Sequence, residues 1–338
     1  MTLHQTENAI SQTFLPKVSV IIPIYNGETD LPDLISCLYD QTYLTAQVEY
    51  LLVDNASRDR TASILQAAAQ EAKHRGLTIY HLTANQIQSS YAARNAGIYA
   101  ATGEILAFTD VDCRPHPNWL HALVQPFADL TVGVVVGAIG SVPGSTLLEK
   151  YAADPNILSQ EDVLAHPFRP FGQTANLAIR RQVLEQVGLF RPYLTTGGDA
   201  DLCWRIQQQS SWQLYYAKQA LVLHRHRTTM QGLLSQWRRY GRAARYWHEL
   251  YGIDLYCEWT LQKYLYYLGL WLLKELPIVG LKAIAGKATL VELLRTPITL
   301  LTAQAEAAGQ REAKLPEQAW QIEWLSSSRI INPDLKVS

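Results

Sequence analysis

An α/β fold built on a mostly parallel, Rossmann-like sheet is the architecture that this sequence predicts. Four short apolar runs rich in β-forming residues recur at intervals close to the length of a βαβ unit: VSVIIPI from Val18, VEYLLV from Val48, LTIYHL from Leu77 and EILAFT from Glu104. Helix-like segments lie between them, most clearly TASILQAAAQEAKHR, which ends in basic residues before Gly76. Strands that alternate with helices imply a sheet covered by helices on both faces.

Two further strands are expected after this first half. VGVVVGAIG, from Val132, reads as a fifth strand, and WQLYYAKQALVLHRHR, which ends at Arg227, is strand-like. The pattern loosens between residues 141 and 170, so this region is expected to be mobile or to face an acceptor. The polar leader 1–16 has no apolar core segment and predicts no signal peptide. The expected domains are therefore residues 17–230 and a helical region at 231–338.

The composition excludes several classes of protein. With 48% apolar and 17% charged residues, the chain of 338 residues has enough apolar material for a substantial core. The balance of 29 basic and 30 acidic side chains gives no general electrostatic reason to expect a nucleic-acid partner. The four cysteines form no CxxC pair, which favours reduced cysteines in a cytoplasmic protein over a disulfide framework or a zinc site.

The region after Gln231 changes character and leaves two interpretations open. A largely aromatic stripe is expected on one helical face, formed by Leu233, Trp237, Tyr240, Ala244, Trp247 and Tyr251. An arginine stripe of Arg238, Arg242 and Arg245 is expected beside it. Such a helix suits either an anionic membrane surface or packing against its own domain. The apolar run YLYYLGLWLL at 264–273 is too short to span a bilayer. It is expected to lie in the membrane interface, to be buried or to dimerise, with membrane association slightly favoured.

Polar side chains follow three of the predicted strands. In parallel sheets, ligands bind beyond the carboxyl ends of the strands, so these side chains are expected to build one acidic, amide-rich crevice. The residues are Tyr25 and Asn26, Asp54 and Asn55, and Asp110 and Asp112.

Asp110 and Asp112 are spaced so that a strand would point both carboxylates to one side. Two close anions at a ligand-binding edge suit Mg²⁺ or Mn²⁺, whose coordination a substrate's phosphates would complete. In the alternative, Asp112 caps the following turn and Asp110 is only exposed. His224, at the end of a strand, is a candidate further ligand, although a histidine in such a place is often structural.

The segment GGDADLCW at 197–204 suggests a second function for a carboxylate. Paired glycines allow a tight bend that brings Asp199 against a ligand as a candidate general base. Alternatively, Asp199 or Asp201 caps the following helix. Both interpretations hold if Asp201 caps and Asp199 lies in the site. No GxSxG elbow is present, and no GxGxxG follows the first strand.

Five motifs in order resemble the family 2 glycosyltransferases, inverting enzymes with a GT-A fold, from about Lys17 to Arg227. They are VSVIIPIYNGE, VEYLLVDNASRDRT, YAARNAGIYAATGEILAFTDVDCRP, GQTANLAIRR and GGDADLCWRI. Beyond them, QWRRYGR resembles a segment that often follows in polysaccharide-making members.

The resemblance implies roles for individual residues. It implies that Asp110 lies near the ribose and the metal, with Asp112 as the main metal ligand and His224 as an additional one. Asp199 matches the catalytic base. The nucleotide-sugar pocket would include Pro23, Tyr25, Glu28, Asp54, Asn55 and Arg94.

The chain departs from the family pattern at two positions. Many members have two consecutive acids where this chain has Asp54 and Asn55, so the nucleotide, of UDP, GDP or dTDP type, is left open. Gly198 replaces a glutamate that often precedes the base, which changes its surroundings.

The expected function is inverting, metal-dependent transfer of a sugar to a glycan or lipid-linked acceptor. The expected location is cytoplasmic and peripheral on the inner face of the plasma membrane. A sugar-phosphate nucleotidyltransferase, a metal-dependent hydrolase and a non-catalytic sugar-nucleotide-binding subunit are the alternatives.

Overall fold

The computed structural model describes residues 14–153 and 159–325, so most of the predicted leader lies outside the described residues. Within them, eight strands form one sheet: β1 (Val18–Ile24), β2 (Val48–Asp54), β3 (Thr78–Thr83), β4 (Ile105–Thr109), β5 (Cys113–Pro115), β6 (Val132–Ser141), β7 (Asn176–Arg180) and β8 (Gln213–His224). The helices are α1 (Leu31–Tyr39), α2 (Thr61–His74), α3 (Ser90–Ala100), α4 (Trp119–Val124), α5 (Leu147–Ala152), α6 (Gln160–Leu164), α7 (Arg181–Val187), α8 (Gly198–Gln209), α9 (Met230–Tyr251), α10 (Leu261–Leu270), α11 (Leu276–Ile284) and α12 (Leu290–Glu312). A π-helical turn, Trp271–Glu275, joins α10 to α11.

The sheet has the order β3-β2-β1-β4-β7-β6-β8-β5. Strands β1 to β4 pair in parallel, as the four apolar runs predicted, and β6 pairs in parallel with β8. The strands missed by the sequence analysis are β5 and β7, which pair antiparallel with β8 and with β4 and β6. The predicted α/β class is confirmed, with a mixed second half.

Alternation along β1 divides the core between the two faces of the sheet. Val20 and Ile22 belong to a cluster with Leu34 of α1 and Leu65 of α2. Ile21 belongs to a second cluster on the opposite face, with residues of α3 and α7. Because successive side chains of a strand point to opposite faces, an uninterrupted apolar strand such as β1 needs helices on both sides.

The C-terminal region packs on the sheet region through α9 and α12. A Cβ atom on Gly241 of α9 would lie 1.8 Å from the carbonyl oxygen of Glu306, and one on Gly309 of α12 would lie 1.9 Å from that of Arg238. The two helices therefore touch backbone to backbone. Residues on both sides of the predicted boundary at 230 also share a core, since Tyr246 and Ala319 join the cluster around Ile21.

The aromatic face of α9 packs against its own domain. Leu233 is buried, the Trp247 indole donates to the Gly197 carbonyl at 3.0 Å, and the Tyr251 hydroxyl donates to Asp201 at 2.6 Å. Of the two interpretations of this stripe, packing on the protein is therefore the one that the structure supports. No helix in the described parts of the chain is both long enough and apolar enough to cross a membrane.

Replacing Gly241 with alanine is expected to lower the free energy of unfolding by about 1–3 kcal/mol, because the new methyl group must push two backbones apart. The matched control is Gly280→Ala on α11, where a Cβ would meet nothing within 4 Å. That change should be neutral or stabilise by up to about 1 kcal/mol through helix propensity. Denaturant unfolding of both variants checks this, and equal stability of the two would contradict the close contact.

Candidate active site

The loops that follow β1 and β2 are joined by hydrogen bonds at the carboxyl edge of the sheet. Ile24 and Asp54 are paired in register, so both strands end at the same level. The Glu28 carboxylate accepts from the Arg60 amide at 3.0 Å, and the Asn26 side-chain oxygen accepts from the Arg58 amide at 2.9 Å. These bonds join the two loops to each other at the carboxyl edge of the sheet.

The residues predicted for the nucleotide pocket differ in accessibility. Pro23 is buried inside β1, whereas Tyr25, directly after that strand, is 47% exposed. Asp54 is buried, and its Oδ1 accepts from the Ser57 amide at 3.0 Å. Their contact with a nucleotide remains a prediction.

Asn55 has a structural use for its amide group. Its Nδ2 donates to the carbonyl oxygens of Ala84, at 2.5 Å, and Ile87, at 3.0 Å. Both amide protons thus fix the segment that follows β3. An ionised aspartate here would have no proton for either carbonyl, which explains locally why the chain departs from two consecutive acids.

Arg94 connects the strand edge with the loop that carries Asp199. Its side chain is 3% exposed, and its guanidinium lies 2.5 Å from the Asp110 carboxylate. The guanidinium carbon also lies over the Tyr91 ring, 5.5 Å from the ring centroid. The Tyr91 hydroxyl in turn lies 3.5 Å from Oδ1 of Asp199. One buried cation and its neighbouring tyrosine, three residues apart on α3, therefore link Asp110 to Asp199.

Asp112 and His224 lie side by side because β5 and β8 pair in register at Cys113 and His224. Nε2 of His224 and Nη2 of Arg227 each lie 3.4 Å from Oδ2 of Asp112. Burial alone would raise the pKa of the Asp112 carboxyl, but His224 and Arg227 outweigh it and hold that pKa well below its usual range. These two neighbours therefore favour the carboxylate form of Asp112.

The three predicted metal ligands do not form one compact cluster. Asp112 pairs with His224, whereas Asp110 pairs with Arg94. Among the described residues, no three His, Cys, Asp or Glu side chains are grouped closely enough to hold a metal ion. A carboxylate beside an imidazole nonetheless fits a divalent cation whose remaining ligands come from a diphosphate.

Asp199 lies in the first turn of α8, which begins at Gly198 after Gly197 in a left-handed conformation, with φ of 74°. Burial raises the pKa of the Asp199 carboxyl, although Arg94 opposes the shift. A carboxyl whose pKa is raised towards the operating pH is better suited to accept a proton.

Asp201 is not the helix cap that was one expectation from the sequence, since the N-cap is Gly197. It is fully buried and accepts from Arg191 at 2.8 Å, Arg205 at 3.1 Å and Tyr251 at 2.6 Å. The two aspartates of GGDADL therefore differ: Asp201 is held in an ion-pair network, and Asp199 faces a cavity.

Two adjoining cavities are lined by the candidate site residues, one by Asp110 and Asp112 and the other by Asp199. A cavity of about 770 Å³ is lined by Asp110, Asp112 and His224 together with Lys218, Arg227 and Arg239. A second, of about 310 Å³, is lined by Asp199 and is largely aromatic. Asp162, Gln173 and Tyr240 line both cavities. Sequence reasoning missed Arg227, Arg239 and Tyr91 as site residues, although RHR and QWRRYGR contain the two arginines.

Two family comparisons decide the identity. Residues 19–188 match the family described as Glycosyl transferase family 2, and residues 105–304 match Glycosyl transferase family group 2. The chain belongs to glycosyltransferase family 2. Membership confirms the resemblance read from the five motifs and the expectation of a glycosyltransferase, and it favours sugar transfer over the three alternatives.

Curated relatives agree with this family 2 assignment. Glycosyltransferase AglE of Haloferax volcanii is 35% identical over 226 residues, which cover 66% of this chain and 72% of the relative. The pre-mycofactocin glycosyltransferase of Mycobacterium tuberculosis is 29% identical over 232 residues, 67% of this chain but only 46% of the relative.

Solved structures show that this glycosyltransferase has the GT-A fold. A mannosyltransferase from Pyrobaculum calidifontis, in complex with GDP-Man and Mn²⁺, superposes with a TM-score of 0.60 at 20% identity, covering 89% of this chain and 88% of that one. Staphylococcus aureus TarS 1–349, in complex with UDP-GlcNAc, gives 0.50 at 14% identity, covering 87% and 90%.

The two aspartates of the glycosyltransferase's GGDADL segment are expected to respond oppositely to amidation. Asp201→Asn leaves two buried arginines without their counter-charge and should cost about 3–5 kcal/mol. Asp199 has a raised pKa in the folded state, so its contribution to stability is lost as pH rises through that pKa. Asp199→Asn, which cannot ionise, should therefore be neutral or stabilising at pH 7. Denaturant unfolding checks both, and a wild-type midpoint for Asp201→Asn would refute the structural assignment.

Proposed function

We propose that this glycosyltransferase moves a sugar, with inversion at the anomeric carbon, from a nucleoside-diphosphate sugar to an acceptor hydroxyl. The reaction would use Mn²⁺ or Mg²⁺ and serve polysaccharide or glycolipid synthesis. One observation carries the proposal: Asp110 is linked through Arg94 and Tyr91 to a cavity-facing carboxylate, Asp199, and Asp112 lines the same cavity as Asp110.

Asp199 is the proposed general base. As the acceptor oxygen forms its bond to the anomeric carbon, the bond from that carbon to the diphosphate breaks on the opposite face, and the hydroxyl proton passes to Asp199. Arg94 has a second role here, because its positive charge near Asp199 favours the carboxylate form, which accepts the proton.

The departing nucleoside diphosphate is proposed to lie in the larger cavity. Asp112 and His224 would hold the divalent cation there, and the cation would neutralise charge that grows on the diphosphate. Arg227 and Arg239, in the same lining, supply fixed positive charge for phosphate oxygens. The complexes of structural neighbours with Mn²⁺ and nucleotide sugars support this choice of ligands.

We also propose that the protein works from the cytoplasm at the inner face of the plasma membrane, through α10, the π-helical turn and α11. These elements contain no buried residue, and their exposed side chains include Leu261, Leu273, Leu281 and Ile284, at 73%, 84%, 70% and 87% exposure. Exposed apolar area of this extent on one helical segment marks an interaction surface.

An anionic bilayer is the partner that fits this surface. Residues 261–287 carry four lysines (263, 274, 282 and 287) and one glutamate, Glu275, which accepts from the Thr296 hydroxyl at 2.6 Å. Exposed leucines beside lysines, with Tyr266 and Trp271 on the same segment, are typical of helices that lie in the membrane interface. A relative of Pseudomonas aeruginosa named undecaprenyl-phosphate 4-deoxy-4-formamido-L-arabinose transferase, matched over 32% of this chain at 35% identity, supports a membrane-linked substrate.

The donor site is tested by thermal unfolding with UDP, GDP and dTDP, each with Mn²⁺ and with a chelator. One nucleotide should raise the melting temperature in a metal-dependent manner, since a ligand that binds only the native state stabilises it. Asp112→Asn should lose this shift. Asp199→Asn should keep it and yet lose sugar transfer, and NMR of the wild-type product should show the inverted anomer.

Two results would count against the donor and base assignments. An unchanged, metal-independent shift in Asp112→Asn would refute its role as the metal ligand. Transfer retained by Asp199→Asn would refute its role as the base. Glu71→Gln, on the exposed face of α2, is the control for loss of a carboxylate.

Flotation with lipid vesicles tests the membrane surface. The wild type should float with vesicles that contain phosphatidylglycerol, less so at high salt and with phosphatidylcholine alone. Combined replacement of Leu273, Leu281 and Ile284 with serine should abolish flotation. The control Leu130→Ser, at a 76% exposed site that is distant in sequence from α10 and α11, should not. The proposal fails if the wild type stays in the soluble fraction. If that wild type is a dimer and the triple variant is a monomer, a second copy of the chain covers this face instead.

A further inference from the structure

Asp30 departs from the usual behaviour of an aspartate at its position. It is the N-cap of α1, where an aspartate commonly accepts from backbone amides of its own helix, yet its side chain makes no capping hydrogen bond. Its Oδ1 instead accepts from Nη2 of Arg114 at 2.8 Å and from Nη1 of Arg225 at 3.0 Å. One carboxylate oxygen thus joins two arginines that lie 84 and 195 residues further along the chain.

The first of these arginines, Arg114, holds the turn between β4 and β5 that carries both candidate aspartates. Its Nη1 donates to the carbonyl oxygens of Val111, at 3.1 Å, and Cys113, at 3.0 Å. The Cys113 amide donates to the Asp110 carbonyl at 3.0 Å, which closes the turn. Val111 lies between Asp110 and Asp112 in the sequence, so the guanidinium is bonded to the peptide group that leads into the second aspartate.

The second arginine, Arg225, holds the same turn from the end of β8. It follows His224 directly, and its backbone amide donates to the Asp112 carbonyl at 2.9 Å. Its side chain reaches Asp30, so a single residue connects Asp112 to the start of α1. The two guanidinium groups share one carboxylate oxygen, and without that negative charge they would repel each other and loosen the turn.

This network lies behind the site and not inside it. In the described lining of the two cavities, Asp112 appears, but the aspartate of α1 and its two arginines do not. The loop after β1 packs on the same turn, since a Cβ atom on Gly27 would lie 3.1 Å from Cγ2 of Val111. The loop with Tyr25 and Glu28, which are predicted to contact the nucleotide, is therefore tied to the turn that carries the predicted metal ligands.

We propose that Asp30 is a positioning residue for the metal site. Through Arg114 and Arg225 it fixes the backbone on both sides of Asp112 and so keeps that carboxylate beside His224. The inference rests on the proposed function, in which these last two residues hold the divalent cation. Residues that orient a metal ligand contribute to metal affinity although they do not touch the ion. Asp30 therefore acts on the binding of the metal without being one of its ligands.

Electron paramagnetic resonance tests this role, because Mn²⁺ loses its free-ion signal when it binds. The full chain is titrated with Mn²⁺ alone and with UDP or GDP present, beside matched titrations without protein. Asp30→Asn keeps the size of the side chain and removes its charge, and it should weaken Mn²⁺ binding about ten- to a hundredfold. Asp30→Glu restores the carboxylate and should recover part of this loss.

Three further variants separate position from charge and from stability. Arg225→Gln removes a positive charge, which alone would favour a cation, yet it cuts the link and should weaken Mn²⁺ binding about tenfold. It remains informative if Asp30→Asn does not fold. Asp33→Asn is the matched control, because the Asp33 side chain also contacts Arg114, at 3.2 Å, but is 66% exposed, and Mn²⁺ binding should stay within about twofold of the wild type. Ile79→Val, in the core beside β3, should lower the melting temperature and leave Mn²⁺ binding unchanged.

The inference is overturned if Asp30→Asn binds Mn²⁺ as the wild type does, or if Arg225→Gln binds it more tightly. It is also overturned if Asp33→Asn weakens binding as much as Asp30→Asn, since the effect would then be one of charge and not of position. In each of these cases Asp112→Asn still loses Mn²⁺ binding, and the proposed function stands. Mn²⁺ binding that is unchanged in Asp112→Asn would instead count against the proposed metal site and this inference together.

Discussion

The buried guanidinium of Arg94 is the interaction on which the site depends. Asp110 and Asp112 follow β4, whereas Asp199 comes from α8, and bringing such carboxylates together in a poorly solvated crevice is unfavourable without counter-charge. Arg94 contacts Asp110 at 2.5 Å and lowers the pKa of Asp199. His224 and Arg227 lie 3.4 Å from the Asp112 carboxylate and lower its pKa. The protein thus supplies its own cations in the absence of substrate. Those cations lie where a diphosphate and its metal would add further charge.

The same contacts, together with burial, shift the pKa values of two of these carboxyls in opposite directions. His224 and Arg227 lower the pKa of the Asp112 carboxyl, as its proposed role as a metal ligand requires, whereas burial raises the pKa of Asp199, as suits the proposed base. This division follows from neighbours that are distant in sequence: β8 supplies His224 beside Asp112, and α3 supplies Tyr91 beside Asp199. The residue type alone does not distinguish the two aspartates.

How much of the fold and the site could be predicted from the sequence depends on whether the interacting residues are near each other in the chain. The parallel strands β1 to β4 were predictable because each is a short apolar run followed by polar residues, and the carboxyl-edge rule then brought Asp54 and Asp110 to one edge. The short strand β5 has only three residues and no periodicity to detect, yet it sets the register of Asp112 against His224. Asp201 was misjudged because, besides Arg205 at i+4 on the same helix, its partners Arg191 and Tyr251 become neighbours only in the folded chain. Asn55 read as a departure from the family pattern, but its two bonds to the segment after β3 explain it.

The helices after residue 230 could not be sorted by pattern, because an aromatic stripe looks the same whether it meets a bilayer, a core or a sugar. The folded chain separates these uses. The aromatic face of α9 is turned towards Asp199 and packed there by glycine contacts with α12. By contrast, Leu261, Leu273, Leu281 and Ile284 are each at least 70% exposed among the described residues. Since α11 leads into α12, the exposed surface is continuous along the chain with the helix that packs on α9. A membrane bound to that surface would therefore be joined through α12 to the helix that lines the cavity beside Asp199.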